Sequence, residues 1–131
     1  MHFTVILLLA ITVIVLGFRH YREEDLYFSK SSKGPRIGRH SYFKQTFRLG
    51  YKLKLFCEAE GDPRPDVHWY KDGIELKLVK GKVIRSITKL LSTATFLNID
   101  PAKMSDAGQY GCVAHNINGY HVKYMKVEYN L

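Results

Sequence analysis

Residues 57 to 112 hold the pattern that most limits what this chain can fold into. Cys57 and Cys112 are the only two cysteines, and they stand 55 positions apart. Trp69, the sole tryptophan, lies between them, and Tyr110 stands two residues before the second cysteine. What the cysteines do depends on compartment. The chain opens with an apolar run from Phe3 to Phe18. That run is short for a bilayer-spanning helix, which needs about twenty residues, and it fits the core of a secretory signal. Val15 and Gly17 are small enough to flank a cleavage site, so residues 1–17 are expected to be a signal peptide. Met1-His2 precedes the run, without the Lys or Arg usual there, and Arg19, His20 and Arg22 follow it; an uncleaved anchor is the alternative. In an exported chain an even cysteine count predicts a disulfide, the alternative being two unrelated buried thiols. A bridge closing a loop of this length restricts the unfolded chain by about 4 kcal/mol.

The segment after the leader, residues 18–40, shows no sustained period of 2 or 3.6. Its stretch from Ser29 to Pro35 is polar and punctuated by Gly and Pro, so it reads as a linker or loose arm. From Ser41 the character changes. Phe43, Phe47 and Leu49, then Leu53, Leu55 and Cys57, alternate as strands with one buried face do. Asp66–Lys71 ends at the turn pair Asp72-Gly73, and Ile74–Leu78 is a short run. Val83–Leu91 and Thr93–Ile99 are rich in β-branched residues. Gln109–His115 and Tyr120–Tyr129 flank Asn118-Gly119, a hairpin signal. Pro101–Ser105 has room for one short helical turn. Many short strands without intervening long helices argue for an antiparallel β-sandwich.

The order Cys57, Trp69, Tyr110, Cys112 resembles the core signature of an immunoglobulin domain. The resemblance covers about residues 41–130 and is to the intermediate, or I-set, type. Cys57, Ala59, Gly61, Pro63 and Pro65 match the first half, with the run Trp69-Tyr70-Lys71-Asp72-Gly73. Leu97, Ile99, Asp106, Ala107, Gly108, Tyr110, Cys112, Ala114, Asn116 and Gly119 match the second. The interval between the cysteines is too short for the two additional strands of a variable-type domain. The resemblance implies an all-β, two-sheet antiparallel immunoglobulin sandwich over residues 41–131, with one inter-sheet disulfide joining Cys57 and Cys112. Trp69 would pack on the bridge. Tyr110 would bury its ring and return its hydroxyl to nearby backbone. Asp106 would cap the preceding turn and pair with Lys82 or Arg85, and Gly108 would relax the strand entry. The final strand lacks the family's usual small-residue run, and the 18–40 arm has no counterpart in it.

Little in the sequence points to chemistry. Both cysteines are committed to the bridge, no serine sits in a glycine elbow, and the acids at Asp62 and Asp66 have no partner histidine by any motif. The chain reads as no enzyme. Of the six histidines, His68 and His115 fall on neighbouring strands under the strand order the resemblance implies, and both are expected to face outward. A zinc site needs three or four converging ligands, so the histidines read as surface residues and neither metal nor cofactor is expected. No Asn-x-Ser/Thr triplet exists, which leaves the sheet faces without N-glycans.

Two surfaces remain. One is the outer face of the sheet carrying His68, Tyr70, Val113 and His115. The last strand adds either Val122 and Tyr124 or His121, Lys123 and Met125, since alternation alone does not fix its phase. With Val122 and Tyr124 outward, the face is rich in tyrosine and poor in charge, as protein contact sites are. The other is the basic segment. The chain carries a net charge of +8. Residues 18–54 hold ten Lys/Arg against three acids, a net of +7, and residues 55–131 hold ten against nine, a net of +1. Arg19, Arg22, Lys30, Lys33, Arg36 and Arg39 are expected to attract polyanions. In a secreted protein those are sulfated glycosaminoglycans or acidic ectodomains and not nucleic acid. Together with the leader, the resemblance implies a secreted single-domain recognition protein that docks an extracellular protein or cell-surface receptor, as in neural adhesion and synapse-organising families, with a homodimer through the same face as a variant. The alternative is a polyanion-binding ligand or decoy that uses the arm.

Overall fold

The computed structural model describes residues 25–29, 31–77 and 81–131. The expected signal peptide, Arg19, Arg22 and Lys30 lie outside them. Among the described residues ten strands form two sheets. β2 (Arg36–His40), β4 (Leu53–Glu60), β8 (Ser92–Ile99) and β7 (Lys82–Thr88) make one sheet, in that order. The second runs β1 (Asp25–Ser29), β10 (Gly119–Asn130), β9 (Gly108–Asn116), β5 (Asp66–Lys71) and β6 (Ile74–Glu75). β3 (Lys44–Arg48) joins this second sheet by pairing in parallel with the far half of β10.

Alternation drives this arrangement. In β4 Leu53, Leu55, Cys57 and Ala59 are buried; in β8 Thr93, Thr95, Leu97 and Ile99 are. Strands present successive side chains to opposite faces, so both sets point into the space between the sheets. There they meet Trp69, Tyr110, Cys112, Ala114, Met125 and Val127 of the other sheet. Cys57 and Cys112 are bonded across this gap with their Cα atoms 6.5 Å apart. Both hairpin signals form turns, by different means. Asp72 and Gly73 each adopt positive φ, 50° and 82°, the type I′ geometry suited to a two-residue hairpin loop. Between β9 and β10 the loop is Ile117-Asn118, and the positive φ, 148°, moves to Gly119. The Asn116 side chain accepts a hydrogen bond from the Asn118 N–H at 2.8 Å. The expected short helical turn is a 3₁₀ turn at Met104–Asp106.

The described part of the segment read as a loose arm, residues 25–29 and 31–40, differs from expectation. β1 pairs antiparallel with residues 119–123 of β10, and β2 pairs antiparallel with β4. The sandwich therefore begins before Ser41. Ile37 explains why: it is only 6% exposed and belongs to the core. The periodicity was hidden because each strand is five residues long, Gly34-Pro35 interrupts them, and a bulge between Ile37 and Arg39 breaks the alternation.

Candidate protein-contact face

Trp69, Tyr110 and Asp106 of the core signature are buried. The Trp69 indole N–H donates to Thr95 Oγ1 at 3.1 Å. The Tyr110 hydroxyl donates to the Asp106 carbonyl at 2.6 Å, and burial pushes its phenol above the ordinary value. Asp106 takes Lys82 as its ionic partner, 3.4 Å away, and its other carboxylate oxygen accepts the Lys103 N–H at 2.8 Å. Gly108 has φ 152°, and a Cβ there would meet the Asp72 carboxylate at 2.8 Å. These groups hold the scaffold; each is satisfied internally.

The outer face of the β5–β9–β10 sheet is built from cross-strand rows. Tyr70 stands opposite Gly111, and Gly111 opposite Tyr124. A Cβ on Gly111 would lie 3.2 Å from the Tyr124 ring and 3.8 Å from Tyr70. Both tyrosines therefore flank Gly111 on one face, which fixes the phase left open by the sequence: Val122 and Tyr124 point outward, while His121, Met125 and Val127 point inward. The next row is His68, Val113 and Val122, and the one beyond is Asp66, His115 and Tyr120. His68 and His115 stack with centroids 5.3 Å apart and planes within 10°, and His68 Nδ1 lies 3.0 Å from Glu75 Oε1.

Two corrections follow. Val122 has the outward phase yet is only 7% exposed, because Tyr120 and Tyr124 flank it and β1 runs alongside; it offers a partner little surface. His121 is no surface histidine. It is buried, and its Nδ1 accepts the Ile37 N–H at 2.9 Å, tying the two sheets together. Among the described residues no cluster of three metal-ligating side chains occurs. The sequence reading missed three contributors. Phe28 stacks on Tyr120 at 5.7 Å, and the two are 48% and 44% exposed; Glu75 borders Tyr70 from β6. Phe28 was visible as an aromatic in the arm, but only its pairing with β10 brings it to this sheet.

The described members of the basic set are elsewhere. Lys33 is exposed between β1 and β2, and Arg36 and Arg39 are exposed on β2. They line the side wall of the sandwich, and no loose tail carries them.

The immunoglobulin I-set domain family matches residues 35–128. The chain belongs to the immunoglobulin I-set family. Within it, the chain is similar to the immunoglobulin domain-containing protein oig-1 of Caenorhabditis elegans, 42% identical over 125 residues that cover 95% of this chain and 91% of that protein. It is also similar to oig-4 of the same organism, 46% identical over 92 residues, covering 68% of this chain and 58% of that protein. Among solved structures, Dpr2 Ig1-Ig2 in complex with DIP-Theta Ig1-Ig3 superposes with a TM-score of 0.70 at 22% identity, over 74% of this chain and 32% of that one. That likeness is one of fold. The start of the I-set match at residue 35 agrees with β2 being part of the sandwich. Among the described residues no helix is long and apolar enough to cross a membrane.

Proposed function

We propose that this I-set protein is an exported, non-catalytic recognition factor that docks an extracellular protein through the outer face of β5, β9 and β10. The observation that carries the reading is the Tyr124 ring lying over Gly111, with Tyr70 flanking the same glycine from the neighbouring strand. Glycine in a strand interior weakens the strand unless something needs the space. Here it lets the Tyr124 ring lie low over the sheet beside Tyr70, making a shallow aromatic floor. Next to it lie the stacked His68 and His115 and, beyond them, the Phe28–Tyr120 pair. Large rings with few charges are the composition that dominates binding energy at protein interfaces. The disulfide supports export, since such bonds persist in oxidising compartments. Dpr2 Ig1-Ig2, which shares the fold, is held in complex with DIP-Theta Ig1-Ig3, and a protein partner here is in keeping with that.

The test is a binding screen of the full chain against extracellular domains, followed by Tyr70→Ala and Tyr124→Ala. A hot spot loses tenfold or more in affinity on truncation. That loss with an unchanged melting temperature is expected for both variants. Undiminished binding by both would overturn the docking face. Sedimentation of the chain alone reports whether the partner is a second copy. Recovery of the protein from medium with an N-terminus near Phe18 is the expected outcome for export.

A further inference from the structure

The side wall formed by β1, β2 and β3 carries a different kind of surface. From Leu26 to Cys57 the sequence has eight Lys/Arg and no acid. Among the described ones, Lys33, Arg36, Arg39, Lys44, Arg48, Lys52 and Lys54 are all exposed. Three of them are also held in place. The Arg36 guanidinium lies over the Tyr27 ring at 5.0 Å, Arg39 over Phe56 at 5.4 Å, and Arg48 over Tyr51 at 4.9 Å. The bulge between Ile37 and Arg39 contributes. Residues three apart in a regular strand face opposite ways, yet Arg36 and Arg39 stand opposite Glu60 and Glu58, which share one face of β4. Among the described residues none of the three arginines makes an ion pair. The rings, and not these acids, fix where the guanidinium groups lie.

We propose that this wall is a binding site for a sulfated polysaccharide. A guanidinium resting on an aromatic ring keeps its edge N–H donors pointed at solvent. It is already ordered, so a forked contact to a sulfate oxygen pair costs less freedom than one from a mobile side chain. The arginines are spread along the edge rather than converging. Arg36 and Arg48 are twelve residues apart, a path of at most roughly 40 Å of extended chain. Such spacing suits a linear polymer with repeated anions. The disulfide belongs to compartments where the polyanions are sulfated sugars. The wall is a different surface from the tyrosine face, so one chain can hold matrix and a protein partner together.

The experiment measures binding of the full chain to immobilised heparin as a function of salt. Fully desulfated heparin and single-stranded DNA of matched length run beside it. The combined variant Arg36→Gln, Arg39→Gln, Arg48→Gln removes three charges from the wall. Lys77→Gln, Lys89→Gln, Lys103→Gln removes three elsewhere. The wall variant should lower the slope of log affinity against log salt by roughly two to three, one released counterion per lost contact; the control should leave it near wild type. Arg→Lys at the same three positions keeps the charge and loses the fork, so affinity should drop with the slope retained. Tyr124→Ala should leave heparin binding intact. Equal losses in wall and control variants, retention on desulfated heparin, or DNA bound as tightly as heparin would each overturn the site. If the wall variant fails to fold, arginine-selective modification of the unaltered chain decides. Heparin must protect Arg36, Arg39 and Arg48, and their modification at the unliganded rate would refute the proposal.

Discussion

Asp72 and Gly108 couple the β5–β6 turn to the start of β9. The Asp72 carboxylate accepts the Gln109 N–H at 2.9 Å, which is possible only because Gly108 brings no Cβ into that space. The Gln109 amide holds the Asp72 carboxyl below its ordinary value of 3.8, and Lys71, 3.3 Å away, adds to the effect. A depressed folded-state value means that folding favours the ionised form. The stability this contributes is present above pH 3.8 and is lost as pH falls through the lower, folded value. Asp72→Asn should therefore be less stable than wild type at pH 7, with the gap closing below pH 3.8. Urea midpoints at pH 7 and in strong acid check this, and an equal gap at both would show that the carboxylate's charge is irrelevant. Asp72 also occupies a positive-φ position that asparagine tolerates well, so the substitution isolates charge from backbone strain.

At the scale of elements, the N-terminal strands separate two kinds of contribution. β1 adds five ladder positions on β10 and covers its open edge. β2 adds Ile37 to the core and the bond from its amide to His121. Burying one isoleucine is worth about 1.5–3 kcal/mol. A chain beginning at Ser31 should therefore melt within a few degrees of the full chain. One beginning at Ser41 should melt lower by about 10 °C or more, since 1 kcal/mol moves a domain of this size by about 4–8 °C. Equal melting temperatures for the two would show that β2 is dispensable. These are also the elements that the sequence concealed. β4, β8 and β9 were legible because their alternation is long and bounded by turn residues. β1 and β2 were not, because a five-residue strand with a bulge has too few positions to set a period. Their partners lie far along the chain, as His40 with Cys57 and Asp25 with Lys123 do.

At the scale of the molecule, the fold was readable and the surfaces only half so. Cys57, Trp69, Tyr110 and Cys112 are constrained by one packed centre, and such constraints leave fixed spacings in a sequence. The phase of β10 depends on Gly111 making room for the Tyr124 ring, and two of the three arginines on the basic wall, Arg36 and Arg39, rest on rings reached across strands; neither feature has a local signature. Both surfaces rest on the same bridge. Closing a 55-residue loop contributes about 4 kcal/mol by restricting the unfolded chain, while domains as a class retain a net of about 5–15 kcal/mol. The bridge is thus a large part of what keeps the sheets together, and losing it also leaves a void beside Trp69. Cys57→Ala with Cys112→Ala should lower the urea midpoint by more than any single surface substitution proposed above, and expression in a reducing cytosol should give mostly unfolded or aggregated chain. A double variant as stable as the parent would mean that the indole and the two hydrophobic strand faces hold the sandwich unaided. The tie between fold and oxidising compartment, and with it the physical ground for seeking partners outside the cell, would then be gone.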